Sequence, residues 1–269
     1  NITWNTSGML LKLGDYAAGW RDYETRWQLH AHRAPRVGQT VLDIAAIGGK
    51  RVLVTGEQGR GDIIQFVRYL PMLNARGAAV TLRVYDDLKP LFLGLRGVDR
   101  VIGEDEHEPE HDIVTSLLSL PLAFGTTLET IPACIPYVEA ESDRTRSWRA
   151  RLGSSPRPRI GLAWRGMQHI AGRTAPLGAL RSLLDCRNLS FHALQKEITP
   201  DDRTWLRQDG RIVDHSAALG ALADTAALID QLDLVVTIDT SVAHLAGAMG
   251  KPVWIMLQYS ADWRWGRDG

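Results

Sequence analysis

The sequence predicts an α/β protein with two doubly wound parallel-sheet domains behind a short helical fragment. From residue 51 onwards, apolar runs typical of buried strands alternate with helical segments, which favours parallel sheets with crossover helices. The alternation pauses at "RLGSSPRPR" (151–159), rich in Gly, Ser and Pro, and then begins again. Before this region, near the start of the chain, apolar residues recur at helical spacing instead. We therefore predict three parts, with a cleft between the last two: 1–34, 35–152 and 153–269.

The N-terminal part predicts two short amphipathic helices. The first ends at a Gly14-Asp15 break, and the second carries an aromatic face whose residues recur at spacings of three and four: Tyr16, Gly19, Trp20, Tyr23 and Trp27. Such a pair cannot bury both of its faces alone, so we expect it to be one unit of a helical array. Residues 31–49 contain Pro35 and several glycines and predict a linker.

The strands and helices of the two domains follow in regular order. The first domain has a long helix at 62–76 and four predicted strands: 51–55, 79–85, 98–102 and 111–116. The second has five predicted strands: 160–164, 189–194, 211–214, 234–238 and 253–257. Its predicted helices lie between them: 177–184, 200–207, 224–232 and 242–249.

Bulk composition excludes several classes of protein. The 269 residues are 45% hydrophobic and carry 31 basic and 31 acidic side chains. A balanced charge argues against long-range attraction to nucleic acid or to an anionic membrane. Cys134 and Cys186 form no disulfide framework and fit a reducing compartment, so we expect a cytoplasmic location. No apolar run approaches the roughly 18 residues of a membrane span, and "NITWNTSGML" lacks the order of a signal peptide.

The first candidate site is the stretch "DLVVTIDTSVAHLAGAMGKPVW" (233–254). Asp239, Thr240, Ser241 and His244 crowd the joint between an apolar strand and a helix of small residues. Thr240 or Ser241 is placed to cap that helix, whose free amides carry partial positive charge and can hold a phosphate. The plainer alternative is a capped helix with a polar histidine at its edge.

The second candidate is the glycine loop "TGEQGRGDIIQF" (55–66). It is neither a P-loop nor the dinucleotide fingerprint, because it lacks the Gly-Lys-Ser/Thr ending and its glycines fall as GxxGxG. The three glycines of this loop would let the backbone approach a ligand closely, and Gln58, Gly59 and Gly61 would lie on the acceptor side. Asp62 would serve as a general base if an acceptor hydroxyl docks within hydrogen-bond reach. Otherwise Asp62 is simply the N-cap of the next helix.

The third candidate combines two loops that follow strands of the second domain. Arg165, Arg173 and Lys196 would neutralise a diphosphate, and Trp164 would cover a flat ring. Each charge alone would be an ordinary solvated loop residue. Their common strand edge strengthens the hypothesis, because ligands of open α/β sheets bind outside the carboxyl ends of the strands.

Two further stretches are ambiguous. His107 and His111 in "EDEHEPEHD" have a spacing that fits a metal site, but Pro109 and the following strand favour an exposed turn, so we predict no metal. The "WRW" at 263–265 fits an aromatic platform for a base, or equally the start of a helix.

Several stretches carry a family resemblance. "DTSVAHLAGAMGKPVW" resembles the donor-binding motif of heptosyltransferase-like glycosyltransferases (glycosyltransferase family 9), and "GRGDIIQFVRYLPML" resembles their glycine-Asp stretch. "LGDYAAGWRDYETRW" resembles the last tetratricopeptide unit of bacterial proteins that fuse such repeats to this catalytic region. Residues 119–138 resemble other parts of the same fusion family. The resemblance implies the GT-B architecture, with two Rossmann-like domains, and further repeats upstream.

The resemblance also implies roles for particular residues. Asp62 would be the base, and Thr240, Ser241 and His244 would grip the diphosphate. Gln195 and Lys196 resemble a nucleotide-contacting segment of the related O-linked N-acetylglucosamine transferases. The lysine that the family places after the second domain's first strand is missing from 164–174, so an arginine there would have to substitute.

These expectations combine into one hypothesis and one rival. The first is a metal-independent inverting glycosyltransferase that uses a nucleotide-sugar as substrate, needs no cofactor and modifies a protein or glycan hydroxyl. The rival is a non-catalytic scaffold that binds nucleotide-sugars beside a repeat array. A nicotinamide-dependent oxidoreductase is disfavoured, because neither glycine loop has the required spacing.

Overall fold

The computed structural model describes residues 2–29, 42–156, 158–166 and 174–266. The predicted boundary between residues 34 and 35, most of the predicted linker and Arg173 lie outside the described residues. Two parallel sheets form the body of the molecule, which we call the first lobe and the second lobe. The predicted α/β class with parallel sheets is therefore confirmed.

The first lobe contains a four-stranded sheet in the order β3-β2-β1-β4. Its strands lie within the predicted ranges: β1 (Arg51–Thr55), β2 (Ala79–Arg83), β3 (Arg100–Ile102) and β4 (Ile113–Ser116). Val52 of β1 is paired in parallel with Val80 on one side and Ile113 on the other. This order places the topological switch point between β1 and β4, where the loops after these strands diverge.

The second lobe repeats the pattern with one more strand, in the order β7-β6-β5-β8-β9. Its strands are all parallel: β5 (Arg159–Ala163), β6 (Ser190–Ala193), β7 (Ile212–Val213), β8 (Leu234–Ile238) and β9 (Val253–Met256). Numbered within the lobe the order reads 3-2-1-4-5, as in dinucleotide-binding folds. The switch point here lies between β5 and β8.

Twelve α-helices accompany the strands in the described residues. Three precede the first strand: α1 (Ile2–Leu13), α2 (Tyr16–Tyr23) and α3 (Arg26–Leu29). Five lie between β1 and β5: α4 (Arg60–Phe66), α5 (Leu70–Asn74), α6 (Lys89–Phe92), α7 (Leu120–Ala123) and α8 (Ser142–Leu152). The remaining four belong to the second lobe: α9 (Arg181–Leu184), α10 (Pro200–Asp209), α11 (Leu222–Asp230) and α12 (Ser241–Ala248). No described helix combines the length and apolar character needed to cross a bilayer.

The long helix predicted at 62–76 starts earlier and is interrupted. It begins at Arg60, tightens into a 3₁₀ turn at Val67–Tyr69, and resumes as α5 with Pro71 in its first turn. Proline lacks the amide hydrogen that a continuous helix would use there, so the interruption follows from the sequence. The earlier start makes Asp62 the third helical residue rather than the N-cap, which is Gly59.

Most of the apolar core is shared between the lobes. One cluster joins buried residues of α1 and α2, the first sheet, α11 and α12, whereas a smaller cluster fills the other face of the second sheet. Each large apolar side chain that is fully buried contributes about 1.5–3 kcal/mol. The α8 helix also contacts the second lobe, since Arg144 pairs with Asp224 and Arg149 donates to Gln231 at 3.3 Å.

The helices α1 and α2 form a close pair against the first lobe. A side chain at Gly19 would lie 2.7 Å from Leu11 Cδ2, so glycine permits the close approach. Asp15 caps α2 by accepting from the amide of Ala18 at 3.1 Å. Trp20 and Trp27 are buried. The paired helices are therefore present, whereas their assignment to a tetratricopeptide array stays a prediction.

Candidate functional site

The predicted site residues lie at the carboxyl ends of strands in both lobes. Those of the first lobe follow β1, as far as the first turn of α4: Gln58, Gly59, Gly61 and Asp62. Those of the second lobe follow β5, β6 and β8: Trp164, Arg165, Gln195, Lys196, Asp239, Thr240, Ser241 and His244. The positions after β1, β5 and β8 lie at the two switch points, where open α/β sheets bind their ligands, and Gln195 and Lys196 follow the adjacent strand β6.

The first turns of α4 and α12 are in direct contact across the lobes. A Cβ atom on Gly61 would lie 2.6 Å from His244 Cδ2 and 3.5 Å from the Cα of Ser241. Only glycine fits this approach without movement of the histidine ring. The predicted open cleft is therefore closed at this point, and the two halves of the candidate site meet.

Thr240 is the N-cap of α12, as one of the two predicted alternatives. Its backbone is extended, with φ −145°, but its side chain caps no amide of the first turn. The Thr240 hydroxyl lies 3.2 Å from the Thr237 hydroxyl instead. Because the Thr240 side chain does not cap the first turn, that residue leaves the positive end of the helix dipole available to an anion. Asp239 and His244, both half-buried, flank this tip.

Asp62 points toward the C-terminal segment of the chain. Its Oδ2 accepts from the amide of Gly59 at 2.9 Å, which caps the start of α4. Its Oδ1 lies 2.6 Å from Nη2 of Arg264, and the two side chains are 18% and 12% exposed. The candidate base is thus held in a largely buried ion pair rather than facing an open cleft.

Arg264 belongs to a short segment, Asp262–Trp265, that we call the strap. The guanidinium of Arg264 also pairs with Asp262 at 2.9 Å, and its Nη2 lies 3.5 Å from the Tyr23 hydroxyl. Burial alone would lower the pKa of Arg264, but the charges of Asp62 and Asp262 and the neighbouring Tyr23 outweigh it and raise the pKa.

The two tryptophans of the strap fasten it on both sides. Trp263 packs edge-on against Trp20 at 5.2 Å between ring centroids, and also contacts Phe66. Trp265 stacks on His244 at 4.9 Å with an interplanar angle of 25°. The sequence interpretation of "WRW" considered an aromatic platform or a helix start. The observed element is a single 3₁₀ turn, and no sequence signal indicated the pairing of Arg264 with Asp62.

The glycine loop of the first lobe is covered by the N-terminal helices. Arg26, fully buried, pairs with Glu57 at 2.7 Å and Glu24 at 2.6 Å, and donates to the Ser119 hydroxyl at 2.8 Å. Ser116, at the end of β4, also donates to Glu57. A buried arginine with two carboxylates and a hydroxyl fixes these helices on the loop that was predicted to receive an acceptor.

Gln58 is held in an uncommon backbone conformation at the same place. Its φ is 60°, in the left-handed region that non-glycine residues rarely adopt. Tyr23 donates to its side-chain oxygen at 3.1 Å, and Tyr85 donates to its carbonyl at 2.7 Å. Burial is the main cause that raises the pKa of Tyr23, so this hydroxyl stays protonated as a donor.

In the second lobe, the predicted cation Arg165 already has a carboxylate partner. Its guanidinium lies 2.9 Å from Asp202, and its amide donates to Gln195 Oε1 at 3.1 Å. Lys196, which is exposed, donates to the carbonyl of Gly220. Gln195 and Arg165 are thus brought together as predicted neighbours, and Arg173 lies outside the described residues.

The expectation for Trp164 needs correction. Its side chain is fully buried in the smaller core, and its Nε1 donates to Asp202 at 3.1 Å. A ring enclosed on all sides cannot cover a flat ligand. Trp164 directly follows β5 (Arg159–Ala163) and continues the apolar run of that strand into the core.

The described residues bring together no group of three or more side chains suited to holding a metal ion. In the acidic turn, His111 Nδ1 lies 2.9 Å from the carbonyl oxygen of Pro109, which accounts for this ring locally. His107 is exposed.

Part of the second lobe matches a known protein family. Residues 217–261 match the model of glycosyltransferase family 9 (heptosyltransferase). That match supports a glycosyltransferase, and it covers α11, β8, α12 and β9. It ends just before the strap.

The fold is shared with solved structures at low sequence identity. A family 9 glycosyl transferase from Veillonella parvula superimposes with a TM-score of 0.64 and 11% identity, over 83% of this chain and 84% of that one. The ADP-heptose heptosyltransferase II of E. coli gives a TM-score of 0.54 and 14% identity, over 76% and 84%. At such identities the likeness shows the fold alone, which is that of heptosyltransferases.

A curated relative spans nearly all of the chain. Protein FlbA of Caulobacter vibrioides is 26% identical over 286 residues, which cover 95% of this chain and 47% of that protein. The chain therefore spans about half the length of the curated relative it matches.

Proposed function

We propose that the protein is a metal-independent inverting glycosyltransferase, moving a sugar from a nucleotide-sugar donor to a hydroxyl of a protein or glycan. The observation that carries this proposal is the meeting of two helix tips. The start of α12, which the Thr240 side chain does not cap, lies against the turn that carries Asp62, so the proposed anion site and a carboxylate are close together. The heptosyltransferase fold and the family match at 217–261 support it.

The chemistry follows from these groups. The acceptor hydroxyl gives its proton to Asp62, its oxygen bonds to the anomeric carbon, and the bond from that carbon to the diphosphate breaks on the opposite face. The leaving diphosphate gains negative charge, which the first amides of α12 and His244 stabilise, helped by the charges of Arg165 and Arg173. Fixed donors of this kind contribute several kcal/mol to a transition state in a water-poor site.

The donor is proposed to be a nucleoside diphosphate sugar. One solved structure similar in fold is E. coli heptosyltransferase WaaC with ADP-2-deoxy-2-fluoro heptose, with a TM-score of 0.52 and 13% identity over 78% of this chain and 89% of that one. In our proposal Thr240, Ser241 and Lys196 contact the diphosphate or the nucleotide. The pair α1–α2 is the last unit of a tetratricopeptide array that presents the acceptor in the cytoplasm.

The test has two stages. Calorimetry with the diphosphates of uridine, guanosine and adenosine identifies the nucleotide. Release of that diphosphate from its sugar conjugates, with and without candidate acceptors, then measures turnover. His244→Ala is expected to weaken binding about tenfold, since one charge-assisted contact is worth about 1.4 kcal/mol or more. Absence of binding by every diphosphate at millimolar concentration would contradict the proposal.

A specific observation favours a second function, the non-catalytic scaffold. Asp62 is occupied by the Gly59 amide and by Arg264, and Trp265 lies over His244. A module that only binds nucleotide-sugars would keep the anion site without a free base. Binding without release of diphosphate from any donor would support the scaffold.

A further inference from the structure

Arg264 has more donor groups than its partners use. Its two Nη atoms serve Asp62 and Asp262, but its buried Nε has no acceptor among the described residues. The indole Nε1 of Trp265, also buried, likewise has no acceptor there. Buried donors are rarely left without acceptors in native proteins, so such groups call for an explanation. Two of them lie on adjacent residues of the strap.

These donors lie beside the proposed anion site. Asp62, which pairs with Arg264, follows Gly61, and Gly61 touches both His244 and Ser241. Trp265, which follows Arg264, stacks on the same His244. Arg264 therefore pairs with the residue that follows Gly61 and precedes the residue that stacks on His244, which places it beside the start of α12.

We propose that Arg264 is shared between Asp62 and the diphosphate of the donor. When a diphosphate occupies the tip of α12, the guanidinium exchanges its carboxylate partner for phosphate oxygens, and Asp62 becomes available to the acceptor hydroxyl. This inference rests on the proposed function, and it adds an order: the donor binds first and unmasks the base. Arg264 thus has two roles in this proposal: it contacts the donor diphosphate directly, and it controls when Asp62 is available as the base.

The exchange needs a side-chain rotation and not release of the strap. Trp263 anchors the strap among the rings of Trp20, Tyr23 and Phe66, so its backbone stays in place. A guanidinium binds phosphate in the same forked geometry as carboxylate, with the higher charge of a diphosphate favouring the exchange. No bond is made or broken in this step, and the proton of the acceptor goes to Asp62 only afterwards.

The proposal makes Asp62 a competitor of the anion, which a double-mutant cycle measures. The probe is inorganic pyrophosphate, titrated by calorimetry into the wild-type chain, Asp62→Asn, Arg264→Ala and the double variant. Asp62→Asn is expected to tighten binding about three- to tenfold, because Arg264 is then free for the anion. Arg264→Ala is expected to weaken it about tenfold, with Arg264→Lys between the two.

The decisive value is the effect of Asp62→Asn in the Arg264→Ala background. If the exchange occurs, Asp62→Asn increases pyrophosphate affinity by less than about twofold in the Arg264→Ala variant, because no guanidinium remains to be released from Asp62. A gain that persists would show simple repulsion between Asp62 and the anion, and would overturn the proposal. Absence of pyrophosphate binding by both the wild-type chain and Asp62→Asn would overturn it too.

The control is Asp224→Asn. Asp224 is the third residue of α11, as Asp62 is of α4, and its replacement is expected to leave pyrophosphate affinity unchanged. Turnover of nucleotide-sugars separates this inference from the proposed function. If the enzyme is active but Asp62→Asn has the same effect on pyrophosphate affinity with and without Arg264, the exchange is wrong and the proposal of sugar transfer is unaffected. The predicted cycle without any turnover would keep the exchange in a scaffold that binds donors.

Discussion

Residues 59–62 and 221–224 build the same helix start twice, once in each lobe. In α4 the amide of Gly59 donates to Asp62 at 2.9 Å, and in α11 the amide of Ala221 donates to Asp224 at 2.8 Å. Both aspartates occupy the third helical position, where a carboxylate also favours the positive end of the helix dipole. Each then pairs with an arginine.

The two helix starts, which we call corners, share this capping geometry but differ in the residues that surround them. The second helical residue is Gly61 in one corner and the buried Ala223 in the other. Gly61 leaves room for His244, whereas the alanine methyl packs in the core. The partner of Asp224 is Arg144 of α8, whose side chain is 37% exposed, and that of Asp62 is the 12% exposed Arg264. Capping therefore explains both aspartates, and only the neighbours of Asp62 indicate chemistry.

The largest expected difference between the corners is in turnover. Asp62→Asn is expected to lower donor-to-acceptor transfer by about 10²–10⁴-fold, the usual contribution of a general base, whereas Asp224→Asn keeps transfer within about threefold. Release of nucleoside diphosphate by the two variants measures this. Equal losses in both would show that the carboxylates act only as helix caps.

The second lobe contains a buried pair of histidines, which is expected to make its stability sensitive to acid. His192 Nδ1 lies 3.0 Å from His215 Nε2, and Trp148 packs edge-on against His215. Burial is the main cause that lowers the pKa of each ring to about 4, with the neighbouring Arg159 and Arg151 adding to it.

The stability that depends on these rings is present above pH 6.5 and is lost as the pH falls toward 4. Below pH 6.5 the unfolded chain binds protons that the folded rings do not, so the free energy of unfolding falls by a few kcal/mol for the coupled pair, on the order of 1.4 kcal/mol per pKa unit. Urea unfolding between pH 7.5 and 4 checks this. His192→Gln is expected to reduce the slope, and the exposed His107→Gln to leave it unchanged. Equal slopes in all three chains would contradict the prediction.

The sequence predicts the fold well because its signals are local. All four strands of the first lobe lie within their predicted ranges, since each is a short apolar run between turn residues. The start of α4 was misplaced by two residues, because Gly59 caps through its backbone and leaves no polar side chain to read. The predicted helix pair was found for the same local reason.

The sequence could not predict the state of the site, which depends on pairs far apart in the chain. Asp62 and Arg264 are in contact but lie far apart in the sequence, and nothing in "GRGD" or "WRW" indicates the other. The same holds for Arg26 and Glu57, which join the helical fragment to the glycine loop. Trp164 was misread for a different reason, because an aromatic residue at a strand end has the same sequence signal in the core and over a ligand.

Replacement of Arg264 or Arg144 by alanine tests whether the two ion pairs contribute differently to the free energy of unfolding. Arg264→Ala leaves Asp62 largely buried without its partner, and is expected to cost about 2–3 kcal/mol of unfolding free energy. Arg144→Ala removes a more exposed charge and is expected to cost about 1 kcal/mol or less. Urea unfolding at pH 7.5 measures both. A larger loss for Arg144→Ala would mean that the pair at Asp62 is the weaker one.

The smallest expected effect is the change in stability when the second residue of α4 or α11 is replaced. Gly61→Ala would push a methyl to within 2.6 Å of His244, and is expected to destabilise by about 1–2 kcal/mol and to disturb the stack with Trp265. Ala223→Gly is expected to cost a similar amount through lost packing and helix propensity. Gly247→Ala in α12 is the control and is expected to stabilise by up to about 1 kcal/mol, because the added Cβ would meet no atom within 4 Å beyond its chain neighbours and the backbone of its own helix. If Gly61→Ala stabilised the protein as this control does, the tips of α4 and α12 would not be in contact. The shared corner on which sugar transfer depends would then not exist.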